Sequence, residues 1–375
     1  MEGRRGVMRI AYLSSSIIQS KAANVVHVVR MCEAFAKAGH KVTLFAYRTE
    51  DALPDLKQRY GIEYPFEIIL IPINKMSYWS KKTATFRLIR KFDADSYDLI
   101  YSRNIALSTL AIGKKKILVH ESHAFPLTFR RFILEKRLLL KKNLAALVVI
   151  TQALLFKYQK EFSCDTGKML IAADAATVPP SPETTAVTCN TIGYIGHLYD
   201  GRGIDIIIEL AKSFPVLKFV IIGGEEEHVE RWKKNCSDVV NLSFTGFVPH
   251  ADLGQYYQDI DVMLAPYQTT IRIEGNVGDT SQWMSPLKIF EYMAHRKPIL
   301  ASDLPVLREV LRDDENCLLC TTDNLESWKA QLQRLVEDKE LRHRLSRQAY
   351  NDFIENYTWD ARVKKIMEFI KGRIS

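Results

Sequence analysis

The stretch CNTIGYIGHLYDGRGID (residues 189–205) sets the architecture. A short apolar run ends at Gly196, a glycine-containing turn follows, and an apolar-periodic segment begins near Ile204. A buried strand passing through a tight turn into a helix is the repeating step of a parallel sheet covered on both faces. The turn carries Arg202. Backbone amides of such a turn and of a helix start favour an anion, and Arg202 can reach a phosphate held there. On this stretch alone, an ordinary βα loop with a solvated arginine remains the alternative.

The same step recurs in both directions. Before it lie the strand candidates VMRIAYL, KVTLFAY, FEIILIP, YDLIYSR, KILVHE, ALVVIT and KMLIAA, with helix candidates such as NVVHVVRMCEAFAKAG, which Gly39 stops. After it come VLKFVIIGG, VVNLSFTG, IDVMLAPY, KPILAS and ENCLLC. The run VIIGGEEE (220–227) ends in Gly223 and Gly224, but it is not a G-x-G-x-x-G. The Pro-, Ser- and Thr-rich TVPPSPETTAV (177–187) has no periodicity and reads as the linker. The expected organisation is two doubly wound α/β domains in tandem, residues 1–178 and 179–355, with a helical segment, 356–375, returning to the first.

Composition agrees with this reading. At 375 residues, 47% hydrophobic and 26% charged, the chain is globular and too long for one ordinary domain. No apolar run reaches the roughly 18–20 residues that span a bilayer. The N-terminal apolar stretch is short and reads as a first strand rather than a signal peptide, so a cytoplasmic protein is expected. Six scattered cysteines do not form a disulfide framework, and the pair in NCLLC, Cys317 and Cys320, reads as a buried strand rather than a zinc or redox site. The net charge of +8 is unevenly spread. Through residue 170 there are 29 Lys and Arg against 14 Asp and Glu; beyond it, 23 against 30. A basic half of this kind meets something anionic: an acidic lipid surface, a phosphorylated acceptor or nucleic acid.

A second motif, SPLKIFEYMAHRKPILAS (285–302), is more specific. Ser285 is a good N-cap, and Pro286 suits the first helical position. Leu287, Phe290 and Ala294 share the face that turns to the sheet. Lys288 then lies in the first turn, where the helix dipole disfavours a cation unless an anion binds there too. Glu291 follows on the same side, placed to accept hydrogen bonds from vicinal hydroxyls such as those of a ribose. The alternative is a surface ion pair between the two, worth some ~0.2–0.5 kcal/mol.

These pieces, with FTGFVPHADLGQYYQDIDVMLAPY between them, resemble in order and spacing the retaining glycosyltransferases of family 4, which have the two-domain GT-B architecture. AANVVHVVRMCEAFAKAGHKVTLF, the VHESH segment and the IAADAA turn extend the resemblance more loosely over the first half. It implies two Rossmann-like domains facing each other across a cleft, the second holding a nucleotide sugar. It implies that Glu291 binds the ribose, that Arg202 and Lys288 contact the diphosphate, and that the strand end at Phe247, Val248 and Pro249 borders the base. Gly196, His197, Gly223, Ser285, Pro286 and Leu287 complete the implied donor site. Asn24, His27, Glu121 and His123 form the implied acceptor side, with His123 beside the transferred sugar. His123, Arg202 and Lys288 are the implied catalytic groups. Such enzymes work without a bound metal, so no cofactor is expected beyond the nucleotide sugar itself. The chain departs from the family at Trp283, where a second glutamate is common, at His197, where many members have arginine, and in SSSIIQSKAAN, which lacks a glycine. The loop EGNVGDTSQW (274–283) is where the donor sugar is expected to be read.

Within HESHAF (120–125), His120, Glu121 and His123 follow a strand and are placed to reach the cleft. In LTFRRFILEKRLLLKK (127–142), Phe129, Phe132, Ile133 and Leu140 form one stripe for packing, and Leu134 and Leu138 fall among Arg130, Arg131 and Lys141 on the other side. KKTATFRLIRKF (81–92) is a second basic amphipathic segment. Leucines among cations suit peripheral contact with an anionic membrane, or else solvated helices. The expected activity is transfer of a sugar from a nucleotide diphosphate to a hydroxyl of a lipid-linked or cell-surface glycan, at the cytoplasmic face of a membrane. An epimerase or phosphorylase of the same architecture, or a non-catalytic anion-binding protein, are the alternatives. No nucleic-acid module is recognisable.

Overall fold

The computed structural model describes residues 6–20, 23–49, 60–73, 78–110, 116–162, 166–180, 188–272, 279 and 281–373. The chain divides into two compact units, Met1–Ala173 with Trp359–Ser375, and Asp174–Thr358. The first break lies before the proline-rich stretch because Ala176 is tied into the second unit, where its N–H donates to the carbonyl of Tyr357 at 3.0 Å. Residues 181–187 of that stretch lie outside the described residues.

The first unit runs β1 (Arg9–Ile17), α1 (Ala23–Lys37), β2 (Lys41–Arg48), β3 (Glu67–Pro72), α2 (Tyr78–Lys91), β4 (Leu99–Ser102), α3 (Ile105–Leu110), β5 (Ile117–Ser122), α4 (Phe129–Leu139), β6 (Leu144–Val149), α5 (Gln152–Phe162) and β7 (Met169–Ile171). All neighbours in the sheet order β3-β2-β1-β4-β5-β6-β7 are parallel. α1 stops where its sequence predicts: Gly39 N–H donates to Ala36 and His40 N–H to Phe35, the paired bonds of a Schellman cap.

The second unit repeats the plan with β8 (Thr191–Ile195), α6 (Ile204–Ser213), β9 (Lys218–Ile222), α7 (Glu226–Asn235), β10 (Leu242–Gly246), α8 (Leu253–Gln258), β11 (Val262–Ala265), α9 (Leu287–Ala294), β12 (Ile299–Ser302) and β13 (Leu318–Cys320). Its parallel order is β10-β9-β8-β11-β12-β13. Two helices close the unit, α10 (Leu325–Glu337) and α11 (Lys339–Asn356), with Trp328, Leu332, Leu335 and Leu345 in the core. The last helix, α12 (Trp359–Lys371), belongs to the first unit and buries Val363, Ile366 and Ile370 there. Cys317 and Cys320 are buried thiols, as a core strand requires.

Each sheet reverses direction once, between β1 and β4 and between β8 and β11. Beyond the carboxyl ends at such a switch point lies the crevice in which this sheet type binds ligands.

The basic helix α4 departs from the sequence reading. Leu138 is 1% exposed and Leu134 packs on the core, whereas Phe129 and Leu140 are 81% and 75% exposed. Thr128 fixes the phase by capping the helix, its hydroxyl accepting the Arg131 N–H. That phase turns Leu134 and Leu138, four apart, inward. Phe132 stacks on Phe162 with ring centroids 4.5 Å apart, as a packing residue should.

Candidate active site

The carboxyl ends of β8 and β11 meet around two positive charges. The turn after β8 is clamped to the chain leaving β11. A Cβ on Gly203, which has φ +71°, would lie 1.8 Å from the Pro266 carbonyl oxygen, and one on Gly201 1.9 Å from that of Thr270. Only glycine fits this turn, and its tightness holds Arg202 over Tyr267 at 5.3 Å from the ring centre. On the adjoining strand ends, Gly196 N–H donates to Ile222, just before Gly223. The Tyr194 hydroxyl donates to the His197 carbonyl at 2.7 Å.

Lys288 enters from α9. Its ammonium lies 3.9 Å from the centre of the Tyr194 ring and 4.4 Å from that of Tyr267. Lys288 Nζ and Arg202 Nε are both buried without a hydrogen-bond partner among the described residues. Burial first, then Arg202, holds the Lys288 ammonium well below the usual lysine range. Burial, Arg202 and Lys288 likewise lower His197, whose ring stacks on Tyr199. Unsatisfied buried donors crowded with like charge are costly unless an anion completes them.

The start of α9 differs from its sequence reading. Pro286, with ψ 113°, is the cap rather than the first helical residue, and Ser285 lies before it. The Ser285 hydroxyl instead accepts the Asp174 N–H at 2.9 Å. An extended Pro286 cannot lie inside the helix, so the helix begins one residue later, at Leu287. Lys288 remains in the first turn. Leu287 is only half-buried, and Ile289, Phe290, Tyr292, Met293 and Ala294 form the packed face. Tyr292 ties that face to β8 by accepting the Ile195 N–H at 3.1 Å.

Glu291 does not pair with Lys288. Its Oε1 is 2.9 Å from His250 Nε2, and its Oε2 accepts the Tyr257 hydroxyl at 3.3 Å. Burial alone would raise this carboxyl; the His250 hydrogen bond and charge outweigh it and lower the pKa. Val248 lies two residues before His250, half-buried, and Phe247 is 48% exposed. Trp283 is buried at 9% exposure. Asp279 accepts the N–H groups of Ile271 and Ser281. Residues 274–278 and 280 of the predicted sugar-reading loop lie outside the described residues.

In the first unit, Glu121 at the end of β5 is 1% exposed and surrounded by donors. Its Oε1 meets His27 Nε2 at 2.8 Å, Arg362 Nη2 at 3.4 Å, Arg103 Nε at 3.6 Å and His123 Nε2. Its Oε2 accepts from the Tyr101 hydroxyl and from Arg362 Nη1 at 3.5 Å. Burial would raise this carboxyl, but Arg362, His27 and His123 together hold it well below the usual range. His123 alone of the two imidazoles reaches the surface, its side chain 25% exposed against 2% for His27. Asn24 is exposed nearby, its carbonyl accepting from Arg103 at 3.3 Å. His120 does not join the group. Strand alternation turns it to the other face, where its Nδ1 meets the Ser108 hydroxyl at 2.8 Å and burial lowers it to about 4.

The match to known proteins follows this division. Residues 181–352 match the model for glycosyl transferases group 1, and residues 25–169 that for glycosyltransferase family 4. An uncharacterized glycosyltransferase of Haemophilus influenzae is 25% identical over 359 residues, covering 92% of this chain and 94% of its own. A phosphatidyl-myo-inositol mannosyltransferase of Mycolicibacterium smegmatis is 24% identical over 369 residues, covering 92% and 90%. Anabaena HepE, solved with UDP and glucose, shares the fold with TM-score 0.73 at 14% identity, covering 97% of this chain and 100% of its own. The chain belongs to the family 4-like glycosyltransferases of GT-B architecture.

Several residues of this glycosyltransferase's site escaped the sequence reading. His250, Tyr194 and Tyr267 lie at or just past strand ends, which is the signal that points to them, whereas Tyr257 lies on α8 and has no such signal. Arg362 carries none, being 241 residues from Glu121 in the chain. The ligand atoms of His27, Glu121 and His123 lie within 4.8 Å of one another, close enough to share a cation. The guanidiniums of Arg362 and Arg103 against the same carboxylate oppose a further divalent charge there.

Proposed function

We propose that this glycosyltransferase is a retaining enzyme that moves a sugar from a nucleoside-diphosphate sugar to a hydroxyl of a lipid-linked glycan. The observation that carries the donor reading is the pair of buried, unsatisfied donors Lys288 Nζ and Arg202 Nε beside the first turn of α9. In this reading the diphosphate lies between them, supported by the strand-end turns at Gly196, His197 and Gly223 and by the helix start at Ser285, Pro286 and Leu287. Glu291 accepts the ribose hydroxyls with the lone pairs that His250 and Tyr257 leave over. Val248 borders the base. As the bond between anomeric carbon and diphosphate oxygen breaks, charge develops on the diphosphate, and Lys288 and Arg202 meet it without a metal.

The acceptor oxygen bonds the anomeric carbon on the face the diphosphate leaves, and its proton passes to the departing phosphate oxygen. Glu121 supports this front-face course: a carboxylate enclosed by five donor side chains is a poor nucleophile. His123 orients the sugar, Asn24 meets the acceptor, and Glu121 and His27 support His123 from below.

The acceptor assignment rests on surface chemistry. Phe86, Leu127, Phe129 and Leu140 are 60%, 76%, 81% and 75% exposed, among the exposed cations Arg87, Arg90, Arg130, Arg131, Lys136 and Lys141. α2 and α4, which carry these residues or adjoin them, pack on one core cluster through Ala84, Leu88 and Leu138 and so share a sheet face. Such a face suits the headgroup region of an anionic membrane, on the cytoplasmic side where nucleotide sugars are made. No helix among the described residues is long and apolar enough to cross a membrane. The Mycolicibacterium relative, by its name, acts on a phospholipid.

The test is a panel of UDP-, GDP-, ADP- and TDP-sugars read by thermal shift and by release of the nucleoside diphosphate. One donor should raise the melting temperature and be slowly hydrolysed. A panel in which none binds rejects the reading.

A further inference from the structure

We propose that α12 is a working part of the first unit's site: Trp359 and Arg362, one turn apart, hold His27 and Glu121 from behind and thereby fix the ring and tautomer of His123. The proposal rests on the reading that His123 faces the transferred sugar, and it assigns Arg362 as a positioning residue.

The geometry is specific. Arg362 is 2% exposed, and its guanidinium is oriented by three groups: Nε donates to the Ala173 carbonyl at 2.9 Å, Nη1 approaches Met31 Sδ at 3.9 Å, and both terminal nitrogens face Glu121. Trp359 meets the edge of His27 at 5.1 Å, and His27 in turn meets His123 at 4.9 Å, both nearly perpendicular. Between α1 and α12 the grip is reinforced at the surface by Lys37 and Asp360 at 2.6 Å.

The consequence for His123 follows from hydrogen-bond chemistry. An ionised carboxylate only accepts, so the His123 nitrogen facing Glu121, Nε2, carries the proton. Nδ1 is then left with its lone pair, able to accept from a sugar hydroxyl. That arrangement holds only while Glu121 stays ionised and in place. The groups facing the carboxylate are His27 from α1, Tyr101 from β4, Arg103 beyond it, His123 and Arg362, with Tyr12 of β1 also in its field. With two guanidiniums against one carboxylate, the group already holds excess positive charge. Without Arg362 that excess is gone, and either Glu121 or an imidazole takes up a proton at higher pH than before.

The test reads the imidazole directly. Full-length protein labelled with nitrogen-15 at histidine is titrated by NMR, with His123 assigned through His123→Gln. The wild type should show the Nε2–H tautomer at His123. Arg362→Gln should raise the His123 midpoint by a unit or more and mix the tautomers. Arg362→Lys, which keeps the charge but not the two-nitrogen grip, should keep the midpoint and mix the tautomers. A folded Arg362→Gln with midpoint and tautomer unchanged overturns the proposal. Should that variant not fold, an unchanged tautomer in Arg362→Lys overturns it equally. Failure of the sugar-transfer reading would appear in the donor panel on wild type and leave the imidazole result standing.

Discussion

Lys288→Met should move stability and function in opposite directions. In the unliganded protein the lysine places a buried ammonium beside Arg202 with no hydrogen-bond partner among the described residues. Two aromatic faces, at 3.9 and 4.4 Å, return part of the lost hydration, on the order of 2 kcal/mol for a desolvated cation–π contact. The ionisation is nevertheless depressed well below that of a free lysine, so the aromatic contacts do not compensate. Each unit of that depression costs about 1.4 kcal/mol of folding free energy. Methionine keeps the apolar stem in the same slot without the charge. A net gain of ~1–3 kcal/mol is expected, the range seen when buried charges give way to packed apolar groups. For a unit of this size that is a rise of roughly 2–10 °C in melting temperature. The sign with pH is fixed: the penalty is fully present below the folded pKa and vanishes as pH rises to that of the unfolded lysine. The gap between variant and wild type should therefore close toward about pH 10.4. Donor binding should fall by roughly 10- to 150-fold, the worth of one charge-assisted contact of ~1.5–3 kcal/mol. At pH values above the depressed folded pKa, nucleotide binding to the wild type should draw a proton from the buffer, visible by calorimetry in buffers of different ionisation enthalpy. A variant of unchanged or lower stability that binds nucleotide normally would refute the reasoning.

Two further outcomes can be checked. Glu291→Gln should weaken donor binding about 10- to 100-fold while costing only about 1–2 kcal/mol of stability, measured by calorimetry and urea unfolding. Because the folded Glu291 pKa is lowered, its contribution is present above about pH 4.3 and fades as pH falls through the folded value; the variant should lack that acid-side loss. Replacing Leu127 and Phe129 together by serine should reduce co-sedimentation with phosphatidylglycerol vesicles severalfold and leave melting temperature unchanged, since both side chains are already exposed; equal sedimentation would count against the membrane assignment.

The sheets were legible in the sequence because parallel strands are continuous apolar runs, and each predicted run coincides with a strand of the structure to within a few residues. Arg202, Lys288 and Glu291 were legible as candidates because strand ends and helix starts are where such sheets bind ligands. What was not legible depended on phase or on distance. A helix that begins one residue late moved Ser285 from cap to brace, and the capping of α4 at Thr128 exposed the Phe129 that sequence periodicity turned inward. Strand alternation, visible in HESH as a pattern, sent His120 and Glu121 to opposite faces, but nothing local says which face holds the partners. Arg362 lies in a segment whose periodicity reports only an amphipathic helix, and an ion pair formed across most of the chain leaves no mark on either neighbourhood.

The placement of α12 also orders the life of the molecule before any substrate is met. Its buried face, Val363, Ile366 and Ile370, is the last part of the first unit to be synthesised, after the whole of the second. A nascent chain emerging from the ribosome can pair the strands of its first sheet early, yet Glu121 stays without Arg362 until residue 362 has been added. The first unit therefore matures only after the second has been translated. A prematurely terminated chain keeps the second unit and lacks the residue that pairs with Glu121 in the first.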